Sequence, residues 1–175
     1  MKSCLDRGLQ QIQHAVSALL VEARLDGRPL TPADLEDVRT LAQPKSAASG
    51  ATLAWENGLA GPVALPANLV RQLLLNLMLN ARQAVDPGGR IAVQIARARG
   101  GLQILVENSG EPIPPERLAR LFEPYPSPYP DRQGLGLWVC WQIVTQLGGT
   151  IEAQALERST RLCVHLPSVP ESDHD

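Results

Sequence analysis

The chain has 175 residues, 44% hydrophobic and 19% charged, which suits one ordinary folded domain plus an appended element and excludes a collagen, a mucin-like stalk or a wholly disordered chain. Sixteen basic against eighteen acidic residues leave a net charge of -2, without the basic surplus that a nucleic-acid binder uses to displace counterions from phosphates. The three cysteines, Cys4, Cys140 and Cys163, fit neither a disulfide framework nor a CxxC zinc site, and no apolar run matches a membrane span or a signal peptide, so a soluble, cytoplasmic chain with no membrane segment is expected.

Residues 4–25 carry Leu5, Leu9, Ile12, Val16, Leu19 and Ala23 at 4-3-4-3-4 spacing, a heptad seam narrower than the stripe of a helix laid on a sheet. Such a seam, roughly 30 Å long at helical rise, needs a partner helix to cover it. Asp26-Gly27-Arg28-Pro29 ends it. Thr31-Pro32-Ala33-Asp34 starts a second helix, with Thr31 at the cap, Pro32 at the first helical position and Asp34 at the positive end. Leu35, Val38 and Leu41 supply its apolar face up to Pro44.

Residues 51–55 read as a short strand, Glu56-Asn57-Gly58 as a turn, and Val63-Ala64 as a second short strand. The longest helix is expected over 66–85, opened by Pro66 and stopped by Asp86-Pro87-Gly88-Gly89. Strands 90–96 and 102–108 form a hairpin through a five-residue loop, 97–101. A short helix over 114–121 leads to a Pro- and Tyr-rich loop, 123–133, and then to a helix from 134 to 147. A hairpin of 150–155 with 161–166 and a polar tail close the chain. The layout is α+β, a two-layer sandwich of a mixed sheet covered by helices on one face.

Three local features stand out. Gln72, Asn76 and Asn80 recur at i, i+4, i+8 along an otherwise apolar helix, with Gln83 one turn further on. Such an amide row is either an exposed polar face or a ligand-facing one, because unpaired amides are costly to bury. Glu107-Asn108-Ser109-Gly110 places a polar side chain and a glycine at a strand end, which suits either an ordinary turn or the reading of a flat heteroaromatic edge. Gly134-Leu135-Gly136-Leu137 opens a helix with bare backbone N–H groups, the makings of an anion site. Five of the six aromatic residues (Phe122, Tyr125, Tyr129, Trp138, Trp141) lie between 122 and 141, as local packing or as a ligand-facing lid.

In order and spacing these segments resemble the motifs of the GHKL (Bergerat-fold) ATPases, in the version found in sensor histidine kinases. Leu73-Leu74-Leu75-Asn76-Leu77-Met78-Leu79-Asn80-Ala81-Arg82-Gln83-Ala84 resembles the N-box, 108–114 the G1 box, Leu121-Phe122-Glu123-Pro124 the F-box and 134–137 the G2 box. The seam before them resembles the second helix of the dimerisation and phosphotransfer hairpin. The resemblance implies three segments: 1–28 as that helix, 29–167 as the ATP-binding catalytic domain, and 168–175 as a tail.

It further implies roles for single residues. Asn80 matches the Mg2+ ligand, a hard-cation position suited to an amide oxygen. Asn76, one turn earlier, supports the phosphates or ordered water. Asn108 stands where the family has an aspartate that accepts from the adenine amino group. Gly110 and Ile113 line the base, and Gly134, Leu135, Gly136 and Leu137 bring the lid to the phosphates. Several positions depart from the pattern. Pro112 replaces the second G1 glycine, Gln83 a phosphate-facing lysine and Ala84 an aromatic, while Arg132 offers a replacement positive charge in the lid.

No acceptor motif accompanies these boxes. His14 lies at an outward heptad position followed by Ala15, His165 in a terminal strand and His174 in the tail. The resemblance therefore implies a bacterial two-component kinase domain that moves the ATP γ-phosphoryl to a histidine outside this chain. A homodimer through the first helix, a histidine-bearing hairpin and a response regulator are the expected partners. The alternatives are an inactive nucleotide-binding module (a pseudokinase) and a serine kinase of the anti-sigma type. Hydrolysis is disfavoured, because hydrolytic members use a glutamate where this chain has Asn76, whose amide takes no proton.

Overall fold

Residues 27–43, 50–123 and 136–168 are described by the computed structural model. The heptad seam, Cys4, His14, His174, Tyr125, Tyr129, Arg132, Gly134 and Leu135 lie outside the described residues. In chain order the elements are β1 (Pro29–Leu30), α1 (Pro32–Ala42), β2 (Thr52–Asn57), β3 (Val63–Pro66) and α2 (Ala67–Ala84). The hairpin β4 (Arg90–Ala98) and β5 (Gly101–Ser109) follows, then α3 (Pro115–Leu118), α4 (Gly136–Gln146), β6 (Thr150–Ala155) and β7 (Ser159–Pro167).

Period-two alternation builds the main sheet, whose strand order is β2-β4-β5-β7-β6. β2 runs parallel to β4, and the other neighbours are antiparallel, so the sheet is mixed. Ile91, Val93 and Ile95 in β4, Leu102, Ile104 and Val106 in β5, and Leu162, Val164 and Leu166 in β7 form one buried face. Gln94, Gln103 and Glu152 lie on the other, exposed face. α2 and α4 cover the buried face with Leu69, Leu73, Leu74, Leu77, Cys140 and Ile143, each inaccessible to solvent. The Cys140 thiol points at the Leu73 carbonyl, 3.8 Å away, where the two helices touch. Burial pushes that thiol well above its ordinary pKa, so it behaves as an inert part of the core.

The elements depart from expectation where a local signal meets a long-range partner. The β4–β5 loop is Arg99-Gly100 and not five residues, because the adjacent glycines do different work. Gly100 takes the left-handed φ of +74° that a tight turn requires. Gly101 already pairs with Pro167, and a Cβ there would fall 1.9 Å from the Leu166 carbonyl oxygen. Glu56 and Asn57 continue β2 beside Gln94 and Ile95, which moves the turn to Gly58. α3 is a single turn, continued to Leu121 by i→i+3 bonds from Arg120 and Leu121. β3 pairs with β1 in a small separate sheet, and the Ala67 N–H at the start of α2 donates to the Arg28 carbonyl at 3.1 Å.

Candidate functional site

α2 fixes the first part of the site. Its core stripe holds the helix rotation, so Asn76 and Asn80 come to rest half-buried, while Gln72 and Gln83 are exposed. The amide row is thus neither wholly a solvent face nor wholly buried. Among the described residues none hydrogen-bonds the side chain of Asn76 or Asn80. No buried side-chain polar atom among the described residues lacks a partner, so these half-buried amides face solvent, where a ligand can take the place of water.

β5 supplies the second part. Asn108 ends its buried row after Leu102, Ile104 and Val106, and is itself only 6% exposed. It lies between Ile91 of β4 and Thr160 of β7. Its Nδ2 donates to the Ser109 carbonyl at 3.2 Å. No described residue donates to its Oδ1, and no buried side-chain oxygen among the described residues lacks a partner, so that oxygen still touches solvent.

A polar staple joins this strand end to the loop after α2. Ser109 Oγ donates to Asp86 Oδ1 at 2.7 Å and accepts the Arg90 N–H at 2.8 Å. Gly89 makes room for it, and Gly110 lets the strand end pass close to α2. A Cβ on Gly89 would lie 2.2 Å from Asp86 Oδ1 and 2.3 Å from Ser109 Oγ. Gly110, at φ +136°, passes so close to α2 that a Cβ would meet the Ala84 carbonyl oxygen at 2.9 Å. The Gly110 N–H is spent on the Arg158 carbonyl at 3.1 Å. The sequence marks Asp86 only as a helix stop, and its partner lies 23 residues away.

Of the remaining expected site residues, Ile113 and Pro112 are half-buried, Gly136 opens α4 and Leu137 is buried. Phe122 packs partly buried against the core, as does Leu121. Trp138 is buried and Trp141 is 41% exposed, so the aromatic cluster is divided between packing and surface.

Behind α2 lies a cluster whose partners sequence reading misses. Asp34 is 3% exposed, and its carboxylate accepts from Arg28 Nη1, Arg28 Nη2, the Thr31 N–H and the Thr31 hydroxyl. Arg71 of α2 approaches the same carboxylate at 3.6 Å and Asp37 at 3.8 Å. The Arg28 hydrogen bonds hold the Asp34 carboxyl well below the ordinary range, against the opposing effect of burial. Glu107 obeys the same balance: burial raises its pKa, but hydrogen bonds from Ser159 (2.7 Å) and Arg161 (2.9 Å) outweigh it.

The described residues contain no group of three or more His, Cys, Asp or Glu side chains able to hold a metal. A hard cation at this site would rest on an amide oxygen and on oxygens of a bound phosphate, the donor set that Mg2+ accepts. The unpartnered amides of Asn76 and Asn80 fit that requirement.

Residues 66–170 match the family model described as histidine kinase-, DNA gyrase B-, and HSP90-like ATPase. The chain belongs to this family. As an ATPase domain it implies ATP binding, and the relatives it matches are sensor histidine kinases. Over 97 residues it is 41% identical to sensor histidine kinase ZraS of Escherichia coli O157:H7, covering 55% of this chain and 21% of that protein. Sensor histidine kinase CusS of the same organism is 36% identical over 105 residues, covering 57% and 22%. The ATPase domain thus spans about a fifth of the length of these relatives. The catalytic domain of histidine kinase ThkA, in a nucleotide-free form, superposes with a TM-score of 0.71 at 26% identity, covering 79% of this chain and 92% of that one. The α+β fold with its five-stranded mixed sheet is accordingly that of histidine kinase catalytic domains. Among the described residues no helix is long and apolar enough to cross a membrane.

Proposed function

We propose that this ATPase domain is the catalytic unit of a cytoplasmic protein histidine kinase, which binds ATP with Mg2+ and transfers the γ-phosphoryl to a histidine carried outside this chain. One observation carries the reading: Asn76, Asn80 and Asn108 keep unspent hydrogen-bonding capacity at the end of the buried sheet face and on the helix that covers it. Asn80 would hold the cation and Asn76 the phosphates or their water. Asn108, Gly110 and Ile113 would receive the base. Gln83, Arg132, Gly134, Leu135, Gly136 and Leu137 would surround the phosphates. The cation supplies neutralisation of phosphate charge when bound.

The chain's own residues would orient the triphosphate, so that an imidazole nitrogen forms a bond to the γ-phosphorus as its bond to the bridging oxygen breaks and ADP leaves. His165 is the one histidine among the described residues, half-buried in β7, which supports an external acceptor. We assign 29–167 to the catalytic domain, 1–28 to a dimerisation helix that makes a homodimer, and 168–175 to a tail. A histidine-bearing hairpin and a response regulator are the protein partners.

Titration calorimetry with a non-hydrolysable ATP analogue, with and without Mg2+, tests the first half. Asn80→Ala should abolish the Mg2+-dependent component with the fold intact, and undiminished affinity would refute the assignment. Labelled Mg-ATP, supplied with an H-box hairpin from a related kinase, tests the second. Acid-labile label on the hairpin and not on this chain supports transfer in trans. Gln83, exposed and uncharged where a lysine is expected, favours one competing reading, a nucleotide-binding module without transfer. Binding without label on the hairpin would select it.

A further inference from the structure

We infer that Asp86 and Ser109 are positioning residues that present the Asn108 Oδ1 as a hydrogen-bond acceptor for a nucleobase amino group. The inference rests on the reading of this site as a nucleotide site and adds to it a device for base selection.

A side-chain amide is ambiguous, because one end accepts and the other donates. An asparagine reads a base with a definite sense only if its amide is held one way round. Here the Ser109 carbonyl holds it. With Nδ2 donating to that carbonyl at 3.2 Å, Oδ1 is left for the ligand. Turning the amide over would set two oxygens against each other and aim an amino group at the amino group of an adenine. The strand end therefore converts a neutral amide into the acceptor that adenine requires.

The carbonyl can orient Asn108 only if its own peptide is fixed: the Gly110 N–H of that peptide bonds the Arg158 carbonyl at 3.1 Å, and the staple adds a second anchor through the Ser109 side chain. The Ser109 hydroxyl is anchored by the Asp86 carboxylate at 2.7 Å on one side and by the Arg90 N–H at 2.8 Å on the other. Gly89 lets the main chain approach the staple directly, since a Cβ there would lie 2.2 Å from Asp86 Oδ1 and 2.3 Å from Ser109 Oγ. Asp86 directly follows Val85, the C-cap of α2, the helix that bears Asn76 and Asn80, so the same bond also ties the base reader to the phosphate side of the site.

The test uses the full chain and two probes, Mg-ATP and Mg-purine riboside triphosphate, which differ by the 6-amino group. Calorimetry on the parent chain should give a preference for ATP of about five- to tenfold, the worth of one hydrogen bond to a neutral acceptor. Asn108→Ala should erase the preference. Ser109→Ala and Asp86→Ala should each reduce it to less than twofold, chiefly by weakening ATP, while Ser109→Thr, which keeps the hydroxyl, retains it. Parallel loss of both nucleotides in the Ser109→Ala and Asp86→Ala variants, with the ratio preserved, would reduce the staple to a structural brace and overturn the inference. Equal binding of the two probes by the parent chain would overturn it while leaving the nucleotide site standing. Failure of the parent chain to bind either probe would remove the nucleotide site and the inference together.

Discussion

Two polar clusters flank α2, and they treat their hydrogen bonds in opposite ways. Behind the helix, the Asp34 carboxylate is saturated by Arg28 and Thr31 and approached by Arg71. In front, Asn76 and Asn80 make no bond to any described residue, and Asn108 uses its donor while its acceptor stays open. Asp34 is 3% exposed and Asn108 6%, so burial does not separate these two residues. Satisfaction does. A polar group whose valences are filled from within the chain holds the fold together, whereas one that keeps its bonding capacity turned to solvent is available to a ligand.

Substitutions should therefore separate stability from affinity. The largest effect on stability is expected from Asp34→Ala, which strips the carboxylate from Arg28, Arg71 and the Thr31 cap. Breaking a buried ion pair costs about 3–5 kcal/mol. Arg28 is 57% exposed and its contribution is screened, so a loss of about 2 kcal/mol is expected in urea unfolding. Nucleotide affinity, measured well below the unfolding midpoint, should change less than about twofold. A large loss of affinity at unchanged stability would erase the contrast.

Asn80→Ala should show the reverse. Removing an unpartnered, half-buried amide should shift stability by no more than about 0.5 kcal/mol, while Mg2+-dependent ATP binding falls at least about tenfold. Asn76→Ala should follow the same pattern with a smaller loss.

Acid sharpens the comparison further. Because the Asp34 carboxyl titrates below its unfolded value, its stabilisation is fully present above about pH 4 and is lost as pH falls from there toward the folded pKa. Glu36 and Glu107, also lowered, add to the same acid limb. Urea midpoints should be level from neutral pH to about 5 and then decline, with a shallower decline in Asp34→Ala. An equal slope in both proteins would show that Asp34 is not linked to folding.

The smallest effect is expected at Glu36, which accepts from Trp55 Nε1 at 3.0 Å and Asn57 Nδ2 at 3.1 Å. Glu36→Ala should cost about 1 kcal/mol or less and alter the Trp55 fluorescence.

The contrast also decides how much could be read in advance. The open cluster was legible because its residues stand at helical spacing or at a strand end, in motifs whose order carries a family resemblance. The sequence places α2 over 66–85 and it spans Ala67–Ala84, with its core stripe of Leu69, Leu73, Leu74, Leu77 and Ala81 buried throughout. The saturated cluster was not legible. Thr31 and Asp34 announce a helix start through local capping, but Arg71 lies 37 residues further on and nothing in periodicity joins it to them. Asp86 and Ser109 escape for the same reason, as do the pairing of β1 with β3 and the in-sheet role of Gly101. Local rules recover elements and faces; side-chain partners distant in sequence come only from the tertiary arrangement. The expectations on the heptad seam and on most of the lid fall outside the described residues.

The close passage of Gly110 beneath α2 has a consequence for how this domain tolerates change. The contact is asymmetric: one side is the Ala84 backbone carbonyl, the other the missing side chain of Gly110. The Ala84 side chain is exposed and takes no part in the contact, so the contact constrains the residue type at position 110 and not at position 84. Two residues can thus share one contact and carry unequal mutational freedom, set by which of them contributes only its main chain. The gap between the two motif-bearing elements works as a gauge machined to the width of a hydrogen atom, and a variant that widens it by one methyl group must move the strand end and the helix end apart together.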